Sequence, residues 1–143
     1  MVDVRDNALS LYDTTRRARV GRVPAGDGAT HVVADRRGRL LVADTRGDQL
    51  LTFTTPDLRR VEKTTLPGTP YGLAYDPARD RLWVTLTARN QLVGFTLGDG
   101  PPREFARLPT VRQPNTVAVD PGTGRVYVTS RTDGTLQLID PPN

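Results

Sequence analysis

Cysteine is absent from the 143 residues, and that absence excludes a disulfide framework, a thiolate zinc site and a cysteine nucleophile. His31 is the only histidine, so neither a two-histidine metal pair nor a two-histidine acid–base site can be built. Glu62 and Glu104 are the only glutamates, which leaves carboxylate chemistry to the aspartates. The two serines, Ser10 and Ser130, stand outside any G-x-S-x-G elbow, and no glycine-rich phosphate loop occurs. No motif for a cofactor or a metal is present. Apolar runs such as Leu40 to Ala43 fall far short of the ~20 residues a membrane-crossing helix requires. The start, Met1-Val2-Asp3-Val4-Arg5-Asp6, lacks the basic and apolar regions of a signal peptide. The compartment therefore stays open, since a leader on a longer parent would direct the protein out of the cytoplasm.

Lysine is nearly absent too: Lys63 is the only one, and arginine carries almost all of the positive side of a formal net charge of +4. These arginines are scattered, at Arg16, Arg17, Arg19 and Arg22, at Arg59 and Arg60, and at Arg103, Arg107 and Arg112. A nucleic-acid surface gathers basic residues on one face and interleaves stacking aromatics, which this distribution does not do. The same residues suit the exposed outermost strand of a repeating sheet, where charge blocks unwanted pairing. Nucleic acid is not expected as a partner.

What the chain has is a repeat. Ala29-Thr30-His31-Val32-Val33-Ala34-Asp35 returns as Thr69-Pro70-Tyr71-Gly72-Leu73-Ala74-Tyr75-Asp76 and again as Gln113-Pro114-Asn115-Thr116-Val117-Ala118-Val119-Asp120. Asp35, Asp76 and Asp120 are spaced by 41 and 44 residues, and Phe53, Phe95 and Ile139 by 42 and 44. A period of about 40 to 45 residues with four strands in each unit is that of a β-propeller blade. Each Asp opens a turn, as in Asp76-Pro77-Ala78-Arg79-Asp80, and its expected role is to cap its own backbone.

The second strands are expected over 39–45, 81–87 and 125–130, the third over 49–54, 91–97 and 135–140, and the fourth over 59–65 and 103–108. Ala8 to Asp13 aligns with a third strand, Thr15 to Val23 with a fourth, and Asp3-Val4-Arg5 with the tail of a second. The expected fold is all-β: four-stranded antiparallel blades in a partial array of about three and a half, divided at 1–24, 25–66, 67–109 and 110–143. An open arc exposes apolar blade faces. That predicts either a fragment of a six- or seven-bladed parent or self-association through those faces.

The words of the repeat carry a resemblance. Arg125-Val126-Tyr127-Val128-Thr129-Ser130 with Gly134-Thr135-Leu136-Gln137-Leu138-Ile139-Asp140 resembles the YVTN repeat of YncE-like propellers, and Leu41-Val42-Ala43-Asp44 resembles a strand of NHL repeats. Pro70-Tyr71-Gly72-Leu73-Ala74-Tyr75-Asp76 is similar to both and to the streptogramin lyase propellers. The resemblance implies propeller architecture, with ligands taken at the channel face. It does not select a function, because binding proteins, lactonases and lyases share these packing words.

The register places His31, Tyr71 and Asn115 at the entries of the innermost strands, with Asp44, Arg46, Arg89 and Arg131 in the adjoining loops. These positions differ from copy to copy where the cores repeat, and they form the expected ligand-binding set. The lyase resemblance lets His31 stand for a channel-mouth histidine, yet no glutamate matches its partner, and no lactonase carboxylate set matches. The sequence thus favours a non-enzymatic binding or scaffold module for an unidentified protein or small molecule. A piece of a lyase-like or lactonase-like enzyme is the alternative.

Overall fold

The computed structural model describes residues 1–142, and among them every regular element is a β-strand. The order is β1 (Val2–Asp3), β2 (Ala8–Asp13), β3 (Ala18–Pro24), β4 (Ala29–Ala34), β5 (Leu40–Asp44), β6 (Gln49–Phe53) and β7 (Arg60–Thr65). It continues with β8 (Pro70–Asp76), β9 (Arg81–Leu86), β10 (Gln91–Thr96), β11 (Arg103–Pro109), β12 (Pro114–Val119), β13 (Val126–Ser130) and β14 (Leu136–Ile139). They pair antiparallel into four sheets, β1-β2-β3, β4-β5-β6-β7, β8-β9-β10-β11 and β12-β13-β14. No helix is long and apolar enough to cross a membrane. Among the strand boundaries, β3 departs most from expectation, because residues 14–17 form a turn in which Arg17 adopts φ 51°.

The near-continuous apolar runs of the second and third strands follow from burial on both faces. Successive sheets stack, and the core is a series of seams between them. Leu9 of β2 meets Val42, Leu51 and Phe53 of the second sheet. On that sheet's other face, Leu41, Ala43 and Leu50 meet Val84, Val93 and Phe95 of the third. Trp83, Leu92 and Ala106 then face Val117, Val126 and Val128 of the fourth. The innermost strands β4, β8 and β12 lie side by side, as blades around a channel require. Each buried leucine or valine contributes about 1.5–3 kcal/mol, so the seams supply most of the cohesion.

Cross-strand partners share the space in each seam. Trp83 is paired with Gly94, where a Cβ would lie 2.6 Å from the indole and 2.7 Å from Phe105. Leu41 is opposite Thr52 and Tyr127 opposite Leu138 at the same register. Leu136 and Leu138 are each 54% exposed, whereas Leu50 and Leu92, which match Leu136 in the repeat, are fully buried. The far face of the last sheet is therefore apolar and uncovered in this chain.

Polar groups stitch the seams at both ends. Thr45 and Thr87 donate through Oγ1 to the carbonyls of Pro70 (2.6 Å) and Pro114 (2.8 Å), at the entry of the next innermost strand. At the opposite end Arg37 reaches Asp80 (2.7 Å) and Asp99 (2.9 Å) across a seam, and Arg79 donates to the carbonyl of Pro121. The three repeat aspartates cap their turns as expected. Asp35 accepts from the backbone of Arg37 and Arg39, Asp76 from Ala78 and Arg79, and Asp120 from Gly122. Burial alone would raise the Asp80 carboxyl, but hydrogen bonds from Arg37 and Tyr75, with the adjoining guanidinium charges, outweigh it and hold the group below the ordinary carboxylate range.

Candidate functional site

One end of the channel is built from the entries to the innermost strands and the loops joining second to third strands. Backbone bonds hold these loops together in each copy: Thr45 N–H donates to Gly28 (2.9 Å), Ala88 to Gly68 (3.2 Å) and Arg131 to Gln113 (3.1 Å). Asn7, Asp48, Asn90 and Gly134 all take positive φ at one repeat position, a conformation that asparagine, aspartate and glycine tolerate best. Two of these side chains reach over to the next entry. Asp48 Oδ1 accepts from the backbone of Gly68 and Thr69, and Asn90 Oδ1 from Gln113.

Within that frame His31 and Tyr71 touch edge to face across a seam, with ring centroids 5.0 Å apart and planes at 62°. By strand register Tyr71 matches Asn115 and Thr30, while His31 matches Gly72 and Thr116, so the sequence alignment of the three entries is displaced by one residue at His31. The side chains of His31, Tyr71 and Asn115 are all half-buried. His31 Nδ1 is buried without a hydrogen-bond partner among the described residues. Burial lowers the imidazole below its ordinary 6.5, against an opposing contribution from the Tyr71 backbone.

The depressed value has a signed consequence. Above pH 6.5 the ring is neutral in both folded and unfolded chains, and as pH falls below that value the unfolded chain takes the proton first. Urea midpoints are thus expected to fall between pH 7.5 and pH 5.5 in the native chain. A His31→Gln variant should show a flatter profile over that window, since the carboxylates held low begin to matter only as pH falls through about 5. An identical slope in both proteins contradicts the assignment.

Asp44 does not sit where its sequence position suggested. It is fully buried, and its Oδ1 accepts from the backbone N–H groups of Asp27 (3.0 Å), Gly28 (2.7 Å) and Gly47 (3.2 Å) while Oδ2 accepts from Gln49 Nε2 (2.5 Å). The carboxylate pins the entry loop to the adjoining loop and offers no surface to a ligand. A Cβ at Gly26 or Gly47 would collide with it, which is why glycine occupies both positions.

Arg46, Arg89 and Arg131 are exposed at this mouth, and Arg46 donates to the carbonyl of Asp27 and to Asn7. Arg112 joins them. The sequence placed it with the outer-strand charges, but β11 ends at Pro109, so Arg112 belongs to the entry loop, where its carbonyl accepts from Ser130 Oγ (2.7 Å). In the repeat Arg112 stands where Asp27 and Gly68 stand in the earlier copies. Among the described residues no group of three or more His, Cys, Asp or Glu side chains is arranged to hold a metal ion. At the other end of the channel a cavity of about 180 Å³ is lined by Asp76, Arg79, Arg81, Trp83 and Asp140. Its charges are already spent, in the pairs Arg79–Asp76 and Arg125–Asp140 and in the stacking of Arg81 on Phe105.

Neither a protein-family model nor a curated protein matches this sequence. Solved structures match by shape. A chain of the mitotic checkpoint complex aligns with TM-score 0.85 at 13% identity, and the β-propeller domain of Cps50 (Swd1) from Myceliophteria thermophila with 0.79 at 13%. A catalytically inactive histidine-to-alanine variant of virginiamycin B lyase from Staphylococcus aureus, with quinupristin, aligns with 0.72 at 16%. The matches take in 96%, 96% and 98% of this chain but 44%, 48% and 50% of those chains, so it spans about half their length. With its stacked antiparallel sheets, the chain has the architecture of a partial β-propeller, a fold that serves both scaffolds and enzymes.

Proposed function

We propose that the chain is a binding module whose ligand sits at the channel mouth, against His31, Tyr71 and Asn115. The observation that carries this is the edge-to-face contact of His31 with Tyr71 between two innermost-strand entries, with His31 Nδ1 buried and without a hydrogen-bond partner among the described residues. Packing alone repeats the same apolar residue type at matching positions, as Val42, Val84 and Val128 do. At the entries the matched residues change from copy to copy, Thr30, Tyr71 and Asn115 at one position and His31, Gly72 and Thr116 at the next, which suits an off-centre ligand that meets each blade differently. Amide hydrogen exchange in the presence of small-molecule mixtures tests this. Slowed exchange of the loops around Arg46, Arg89 and Arg131, lost in an Asn115→Ala variant, is the expected result. Ligand-dependent protection confined to the opposite end would overturn it.

The lyase likeness supports a second reading, in which His31 acts as a base in an enzyme whose other groups lie in further blades. The lyase structure holds quinupristin and is inactive without its histidine. Incubation with quinupristin, followed by mass spectrometry, separates the two readings. A native chain that converts it while His31→Ala does not favours the enzyme. An unchanged substrate favours the binding module.

A further inference from the structure

Each copy of the repeat sets a guanidinium at its entry loop, and each does so by a different route. In the second sheet the stem of Arg46 covers Gly28, where a Cβ would lie 3.1 Å from Arg46 Cγ. In the third, Arg89 covers Gly68 (φ 127°), where a Cβ would lie 2.9 Å from both Arg89 Cγ and Cδ. In the fourth, the position that Gly68 holds in the third is itself an arginine, Arg112. Arg46 and Arg89 do not even share a register position, since Arg89 aligns with Gly47. Glycine at 28 and 68 lets the stems lie flat on the loops, which reduces the entropy a ligand must remove to use them.

The contrast with the other end of the channel is one of charge satisfaction. There Arg36, Arg37, Arg39, Arg79 and Arg125 all pair with carboxylates. At the mouth the side chains of Arg89, Arg112 and Arg131 have no hydrogen bond or ion pair among the described residues, and Asp133 is the one carboxylate within the Arg131 loop. Resting on the channel-mouth reading above, we infer that the ligand is anionic and presents a carboxylate or phosphoryl group to this guanidinium rim, formed by Arg46, Arg89, Arg112 and Arg131. Planar guanidiniums bind both groups through paired, charge-assisted hydrogen bonds.

The test follows arginine Nε–H and backbone amide NMR signals at low ionic strength during titration with inorganic phosphate, with citrate and with the neutral probe sucrose. Saturable shifts of Arg89, Arg112 and Arg131 with either anion are expected. The variant R89Q/R112Q/R131Q should weaken that anion by at least roughly tenfold, while R60Q/R103Q on the outer strands leaves it within about twofold. A response to phosphate alone assigns a phosphoryl group, and one to citrate alone a carboxylate. Equal movement of Arg60 and Arg103 overturns the inference, because that is a counterion atmosphere. If sucrose moves the mouth amides and neither anion does, the mouth stands and the anionic ligand falls. If no probe moves them, both fall.

Discussion

Replacing Trp83 with alanine is expected to lower stability by about 3–5 kcal/mol, the range for emptying a large aromatic site in a core. Trp83 is 1% exposed, packs edge to face on Phe105 with centroids 5.3 Å apart, and fills the seam against Val126 and Val128. Its cross-strand partner, Gly94, has no side chain with which to fill the space. Domains of this size are stable by only about 5–15 kcal/mol, so the variant should lose a large part of its folding free energy. Urea unfolding followed by circular dichroism checks this. A Trp83→Phe variant is expected to recover much of the loss, and a Trp83→Ala midpoint close to native would show that the third and fourth sheets do not share this seam.

Asp44→Ala carries the second large effect. Removal of the carboxylate leaves the backbone N–H groups of Asp27, Gly28 and Gly47 and the Gln49 amide without their acceptor. A buried donor left unpaired costs about 1–3 kcal/mol, and relaxation of the loop with water entry recovers part of the sum. A loss on the order of 3 kcal/mol is expected, with faster exchange at Asp27 and Gly28. Asp44→Asn should be milder, since its single oxygen can keep the three backbone donors and forfeit only Gln49. Equal losses in the two variants, measured by urea midpoint, would mean that the site responds to charge and not to acceptor geometry.

Asp44 also shows where sequence reading stops. At the end of β5 it looks like a group that reaches the channel mouth, as Arg46 does two residues later. Only the three-dimensional course of residues 26–28, folded back over the strand end, turns its carboxylate inward. The blades themselves were legible because burial on both faces enforces periodic apolar residues, and because each turn needs its Asp, Pro or Gly at a fixed offset. Even the left-handed residues Asn7, Asp48, Asn90 and Gly134 recur in register. Arg112 was hidden by its neighbours, since Arg103 and Arg107 in β11 made it read as one more outer-strand charge. The contact between His31 and Tyr71 depends on how far one sheet is rotated against the next, which no local pattern encodes.

The account stands on sheets stacked through three seams, and two of them carry a unique reporter. His31 is the only imidazole and Trp83 the only indole, so a nuclear Overhauser spectrum of the native chain reads both without ambiguity. Cross-peaks are predicted from the imidazole protons to the Tyr71 ring, across β4 and β8, and from the indole to the methyl groups of Val126 and Val128 on β13. A folded chain with dispersed amide signals in which either set is missing would contradict the stacking on which the channel mouth depends.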